Sequence, residues 1–182
     1  MDYRFAIRCW QDQAGDEDAK ANVFVDGVQV ATEVAVTATS ADSPSIIAWE
    51  STGLTAPASD TSFDIKVVLT NEYYVDASTD RNIIIGGIGY ITKAADNNYK
   101  ISNFDYGSDP VTKTGETTVT DFTDFNNYYN WIIPTAVTGD QIADDWWSSR
   151  DTDGFYNVIV WGGADIGVTM TCPVTEITCN DV

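Results

Sequence analysis

The chain contains no histidine and only 9 basic residues among its 182, against 28 acidic ones, so its formal charge at neutral pH is −19. Without histidine, the Ser-His-Asp and Cys-His arrangements of nucleophilic catalysis are excluded, and the usual general base near neutral pH is missing. Two carboxylates suffice for a glycosidase, but nothing in the sequence distinguishes one acidic pair from the others. We therefore expect that the protein is not an enzyme. Because so acidic a surface repels phosphate backbones, we also expect no nucleic-acid partner.

Long apolar runs and cysteines are equally scarce. No segment approaches the roughly 18 consecutive apolar residues of a membrane-spanning helix, so we expect no membrane partner. Of the three cysteines, Cys9 lies in the first strand pattern, where we expect it to pack as a small core residue. Cys172 and Cys179 flank a short segment near the C-terminus, and both a disulfide and two free thiols remain open.

What the sequence does contain is β-strand pattern throughout. The valines of residues 23–30 flank an Asp26-Gly27 turn, which is a strong hairpin signal, and apolar residues alternate along 63–67. Gly86-Gly87 inside an apolar strand indicates a β-bulge or a close approach of another group to the backbone. Short strands with frequent turns predict an all-β fold, an antiparallel β-sandwich or jelly roll.

The chain divides into two halves. Residues 1–92 are expected to form one β-sandwich, and residues 93–182 either a β-rich extension of it or a second small β domain, with a polar stretch at 93–98 between them. In the second half we predict one short helix at 141–150 and strands at 116–121, 131–137, 155–161 and 166–171.

One loop concentrates chemistry. Between two β-branched runs, residues 70–82 carry acids, amides and two adjacent tyrosines. Carboxylate and carbonyl oxygens suit calcium, which takes six to eight oxygen ligands, and tyrosine rings pack against sugars while their hydroxyls stay in water. The alternative interpretation is an ordinary polar hairpin loop on a β-sandwich.

The order of residues in this loop is informative. The loop contains three short motifs, which are followed by an apolar strand: Thr70-Asn71-Glu72, Tyr73-Tyr74 and Asp80-Arg81-Asn82. This series resembles the signature of the calcium-dependent xylan-binding carbohydrate-binding modules (families thirty-six and sixty), in which Thr-Asn-Asp leads through an aromatic loop to Asp-Arg-Asn. With further matches at 5–8, 23–30 and 40–42, the resemblance covers residues 3–92.

The resemblance implies a calcium ion held by the side chains of Glu72 and Asp80 and by the backbone carbonyl of Thr79. The metal would coordinate sugar hydroxyls directly, while Tyr73 and Tyr74 contact the sugar, so the implied partner is a polysaccharide or a cell-surface glycan. The chain departs from the family at residue 72, where the family usually has Asp. Arg81 is expected to be structural, paired with an acid.

Other candidate sites carry less information. Asp151 and Asp153 resemble the start of a calcium loop and could hold a second metal, but the rest of such a loop is missing and we favour an ordinary turn. The acids of residues 12–18 either hold a cation or are solvated, and we favour the latter. Aromatic residues of the second half are either core residues or exposed platforms: Tyr128, Tyr129, Trp131, Trp146 and Trp147.

Two functional classes therefore remain open. The first is a non-catalytic calcium-dependent carbohydrate-binding β-sandwich, displayed on an extracellular or virion surface. The second is a virion structural protein, a capsid decoration or fibre subunit, that uses the sandwich and residues 93–182 for assembly as a homo-oligomer or within a larger virion. No signal-peptide pattern precedes residue 5, so a sugar-binding chain would reach the outside either within a virion or as part of a larger secreted protein.

Overall fold

The computed structural model describes residues 2–51, 61–93, 130–132, 136–139, 158–163 and 166–174. All regular elements within these ranges are β-strands, and no helix among them is long and apolar enough to cross a membrane. In chain order the strands are β1 (Asp2–Asp12), β2 (Ala19–Val25), β3 (Val28–Val36), β4 (Ser45–Ser51), β5 (Thr61–Leu69), β6 (Tyr74–Asp76), β7 (Thr79–Asp80), β8 (Asn82–Lys93), β9 (Asn130–Ile132), β10 (Ala136–Thr138), β11 (Val158–Val160) and β12 (Val168–Val174).

Two five-stranded antiparallel sheets form the body of the protein. The first has the order β11-β8-β1-β4 with β9 also paired to β8, and the second has the order β10-β12-β5-β2-β3. Alternate residues of both sheets meet in one core, whose fully buried members include Phe5, Ile7, Ile65, Leu69 and Met170. Period-two alternation places one face of each sheet inside. The predicted all-β antiparallel sandwich is confirmed.

The β2–β3 hairpin forms where the sequence predicts it. Asp26 and Gly27 have φ angles of 47° and 80°, as the two central residues of a type I′ turn require. The Asp26 backbone nitrogen donates to the Asp64 carbonyl oxygen at 2.8 Å, and Asp26 Oδ1 accepts from the Asp64 nitrogen at 2.9 Å. The turn is thereby attached to β5, the neighbour of β2 in the sheet.

Both alternatives predicted for Gly86 occur together. In the β1–β8 pairing, Arg8 lies opposite Gly87 and Cys9 opposite Ile85, so Gly86 is the extra residue of a bulge. A Cβ atom on Gly86 would lie 2.3 Å from Cζ3 of the Trp10 indole. The bulge also shifts the phase of β8, because Ile85 and Ile88 both reach the core although they are three positions apart.

Strands beyond residue 130 pair with both sheets of the first half. Strands β9 and β11 pair with β8, while β12 pairs with β5 and carries β10 at its outer side. The predicted strand at 131–137 is wrong as a single element, because β9 and β10 belong to different sheets; Pro134, which cannot donate to a ladder, lies between them. The strands predicted at 155–161 and 166–171 correspond to β11 and β12.

Several predictions fall outside the described residues. These are the strand at 116–121, the helix at 141–150 and the polar stretch beyond residue 93, so the boundary at residue 92 stays a prediction.

Both described cysteines are buried free thiols. Cys9 packs in the core as predicted, and burial raises its pKa to about 12. Cys172 lies in β12, and burial, followed by the nearby Asp64 charge, raises its pKa to about 12 as well. The free-thiol alternative therefore holds at Cys172, while Cys179 lies outside the described residues.

Candidate functional site

The loop singled out by the sequence connects β5 in the second sheet with β8 in the first. Its tip is the small β6–β7 hairpin, in which Tyr74 faces Asp80 and Asp76 faces Thr79. Asp76 Oδ1 accepts hydrogen bonds from the Ser78 hydroxyl at 2.6 Å and from the Ser78 backbone nitrogen at 2.9 Å. These bonds favour the ionised form, so the pKa of Asp76 is lowered from its ordinary value.

Asn71 attaches the first arm of the loop to the start of β2. Its Oδ1 accepts from the Lys20 backbone nitrogen at 2.8 Å, and its Nδ2 donates to the Asp18 carbonyl oxygen at 2.9 Å. The Thr70 nitrogen adds a bond to the Lys20 carbonyl oxygen at 2.9 Å. The Thr-Asn pair of the sequence motif is thus structural. The Asn71 side-chain amide bonds main-chain groups at the start of β2 as a neighbouring strand's peptide group would.

Arg81 fastens the second arm from inside. Only 3% of this residue is exposed, and its guanidinium donates through Nε and Nη2 to the Ala14 carbonyl oxygen and through Nη1 to the Asn71 carbonyl oxygen. The prediction that Arg81 is structural is confirmed. The predicted acidic partner is wrong, because the described partners are the main-chain carbonyls of Ala14 and Asn71, which the several N–H donors of one guanidinium serve together.

Tyr73 rests on this arginine and on a tight turn. The Arg81 Cζ atom lies 5.6 Å from the centroid of the Tyr73 ring, a cation–π distance. A Cβ atom on Gly15, which has a φ of 70°, would lie 2.9 Å from Cγ of the same ring. Tyr73 is still 41% exposed and its neighbour Tyr74 is 64% exposed. The loop therefore presents two adjacent aromatic side chains to solvent, one of them on a packed support.

The predicted calcium ligands occupy different surroundings. Glu72 is exposed, while Thr79 and Asp80 are partly buried. Asp80 Oδ2 lies 3.2 Å from the Asn82 Nδ2 atom, which is also 3.5 Å from Oδ2 of Asp12. The described residues contain no cluster of three or more acidic or cysteine side chains that could hold a metal ion.

The chemistry at Asp80 fits calcium nevertheless. Asn82 is only 9% exposed, and its Oδ1 is a buried oxygen that has no hydrogen-bond partner in the described part of the chain. The Asp12 and Asp80 carboxylates lie on the nitrogen side of this amide, and together the three side chains carry hard oxygen donors of the kind that calcium prefers. The assignment of Glu72, Thr79 and Asp80 as metal ligands, and of Tyr73 and Tyr74 as sugar contacts, stays a prediction.

Residues 12–18 also support the loop, which the sequence did not indicate. This connection between β1 and β2 is a tight turn with positive φ at Gly15 and Asp16, and an isolated bridge joins Ala14 to Glu17. Asp18 Oδ1 accepts from the side chains of Gln11 at 2.7 Å and Gln13 at 3.0 Å. The turn supplies the carbonyl for Arg81 and the surface under Tyr73. Its glycine and its acidic run were visible in the sequence, but its proximity to residue 81 was not.

Most of the remaining candidate residues lie outside the described part of the chain. These are Asp151 and Asp153 together with Tyr128, Tyr129, Trp146 and Trp147. Trp131 lies in β9 of the first sheet.

Comparisons with known proteins give one structural similarity. No family model matches the sequence, and no curated protein matches it. Among solved structures, the chain is similar to one described as vCBM60 in complex with galactobiose, with a TM-score of 0.38 and 12% identity. The match covers 94% of this chain and 99% of that one.

Proposed function

We propose that the protein is a non-catalytic carbohydrate-binding β-sandwich that recognises a polysaccharide or cell-surface glycan through calcium and the tyrosines of residues 70–82. The observation that carries the proposal is the pair of exposed tyrosines, 41% and 64% accessible, on a loop whose base is fixed by buried and partly buried hydrogen bonds. We place this activity on an extracellular or virion surface, where such glycans occur.

The tyrosine pair is suited to sugar binding because it is exposed yet supported. Tyr73 is held from below by Arg81 and Gly15, so little side-chain freedom is left to lose when a ligand binds. Tyr74 offers the more exposed ring beside it. Aromatic rings of this kind pack on the apolar face of a sugar, with a contribution on the order of 1 kcal/mol.

Calcium supplies the polar half of the proposed recognition. Asp80 at the end of the hairpin is the central ligand, with the Thr79 carbonyl oxygen and the Glu72 carboxylate as the further ligands that the family resemblance implies. Because calcium takes six to eight oxygen ligands, a partly filled shell leaves positions for two vicinal sugar hydroxyls. The acidic surface, with a net charge of −19, also favours divalent cations.

The test is a glycan array that includes xylans, probed with the full chain in calcium and in chelator. We expect calcium-dependent binding, weakened roughly fivefold in Kd by Tyr74→Ala and abolished by Asp80→Asn. Val28→Ala is the matched control, since Val28 is 66% exposed on the β2–β3 hairpin at the opposite end of β2. An array with no calcium-dependent hit, or equal losses for Tyr74→Ala and Val28→Ala, contradicts the proposal.

A further inference from the structure

We infer that Asp12 and Asn82 are ligands of the same cation as Asp80, so that the metal site extends from the loop onto the β1–β8 strand pair. This inference rests on the proposed function for its cation and names two ligands that the sequence motif does not indicate. It begins from the strand register, in which Asp12 lies directly opposite Asn82.

Strand geometry brings the three side chains to one face. Asp80 and Asn82 are two positions apart in extended chain, so their side chains point the same way, and a cross-strand partner points that way too. The distances agree: the Asn82 Nδ2 atom lies 3.2 Å from Asp80 Oδ2 and 3.5 Å from Asp12 Oδ2. Arg81, between the two, turns to the opposite side and donates to the carbonyls of Ala14 and Asn71.

The Asn82 amide is the observation that points to a ligand. Its nitrogen end lies between two carboxylates, while its oxygen end is buried without a hydrogen-bond partner in the described residues. A buried polar oxygen left unpaired costs free energy, and such atoms are rare. Turning the amide through half a turn would place Oδ1 beside Asp12 and Asp80, so that three oxygens face one position. The nitrogen then takes the buried unpaired position, so the turn is favourable only when a cation binds the three oxygens.

A divalent cation makes that second arrangement the favourable one. Without a cation, the amide nitrogen separates two carboxylates that repel each other. With calcium between them, the carboxylates and Oδ1 all become ligands, and the repulsion is relieved. The amide thus has one orientation for each state, and calcium selects between them.

Calcium titration calorimetry and thermal melting of the full chain test the inference. Asp12→Asn keeps the shape and removes one ligand charge, so we expect calcium affinity to fall at least about tenfold while the melting temperature in chelator is unchanged or higher. Asp16→Asn is the matched control: it makes the same charge change in the same turn, at an exposed residue whose φ of 57° asparagine also tolerates. We expect it to change calcium affinity less than about twofold.

Asn82→Ala separates a ligand from a mere hydrogen-bond donor. If Asn82 is a ligand, removing its oxygen lowers calcium affinity. If the amide only holds the carboxylates apart, its removal leaves calcium affinity unchanged or raises it, and the inference is wrong.

The outcomes also distinguish this inference from the proposed function. If the wild type responds to calcium and Asp80→Asn abolishes the response, but Asp12→Asn behaves like Asp16→Asn, the loop site stands and the inference is overturned. A wild type that does not respond to calcium overturns both.

Discussion

Replacing Arg81 tests the support of the loop most directly. Arg81→Ala removes the guanidinium that serves the carbonyl oxygens of Ala14 and Asn71, and it removes the cation beneath Tyr73. Arg81→Lys keeps the positive charge but replaces a planar fork by a single ammonium group. The two substitutions therefore ask whether charge or geometry fixes the loop.

The size of the effect follows from the groups left behind. Only 3% of Arg81 is exposed. In Arg81→Ala the two carbonyl oxygens therefore lose their donors at a place where water has little access. Each unpaired buried carbonyl costs about 1–3 kcal/mol. Relief from burying a charge offsets part of this loss. We expect Arg81→Ala to lower the free energy of unfolding by about 3 kcal/mol, a large share of the roughly 5–15 kcal/mol of a typical domain.

For Arg81→Lys we expect an intermediate loss of about 1–2 kcal/mol, because one ammonium group cannot reach both carbonyls in the same geometry. Urea denaturation at 25 °C, followed by tryptophan fluorescence, measures both variants against the wild type. If lysine restores full stability, the arginine acts through its charge alone and the role assigned to the carbonyl contacts is wrong. A loss below about 0.5 kcal/mol for alanine, the usual range for surface changes, would refute the buried contacts themselves.

Three further results are expected. Gly86→Ala should destabilise the protein by about 1–3 kcal/mol, because its Cβ atom would lie 2.3 Å from the Trp10 ring. Gly27→Ala should cost only about 1 kcal/mol, because the space around Gly27 is open and only its φ of 80° is unfavourable for alanine. Equal losses of the two variants in urea denaturation would contradict the steric reason. The thiols of Cys9 and Cys172, each with a pKa of about 12, should resist a thiol reagent in the native protein and react once it unfolds; rapid native labelling would contradict their burial. Ser78→Ala should raise the pKa of Asp76 towards its ordinary value in an NMR titration, since the Ser78 hydroxyl is the first cause of its lowering; an unchanged pKa would show that the backbone bond suffices.

Features that depend on neighbouring residues could be predicted from the sequence. The Asp26-Gly27 turn needs only residues with access to positive φ, and the glycine pair in β8 signals a bulge by its composition. Alternation along β5 gives the buried face of that strand directly, as Phe63, Ile65 and Val67 show. Each of these signals involves residues that are close together in the chain, so it can be interpreted without knowing which distant residues pack against them.

Contacts between distant residues could not be predicted in this way. Arg81 and Ala14 are 67 positions apart, and Asp12 and Asn82 are 70 apart. An abundance of acids suggested a carboxylate partner for Arg81, whereas the tight turn at Gly15 exposes a carbonyl that no residue-type pattern reveals. Likewise, residues 131–137 read as one strand although β9 and β10 join different sheets, because sheet membership depends on partners elsewhere in the chain.

The loop of residues 70–81 and the turn of residues 12–18 share one architectural property. Each passes from one sheet to the other, since β5 and β2 lie in the second sheet and β8 and β1 in the first. Asn71 and Arg81 join these two connections side by side, while the described hydrogen bonds of the Asp76–Ser78 tip are local ones to Ser78 and Thr79. We therefore expect that the tip can be lengthened, shortened or exchanged without disturbing either connection between the sheets. This end of the molecule is a suitable place for grafting loops of altered specificity.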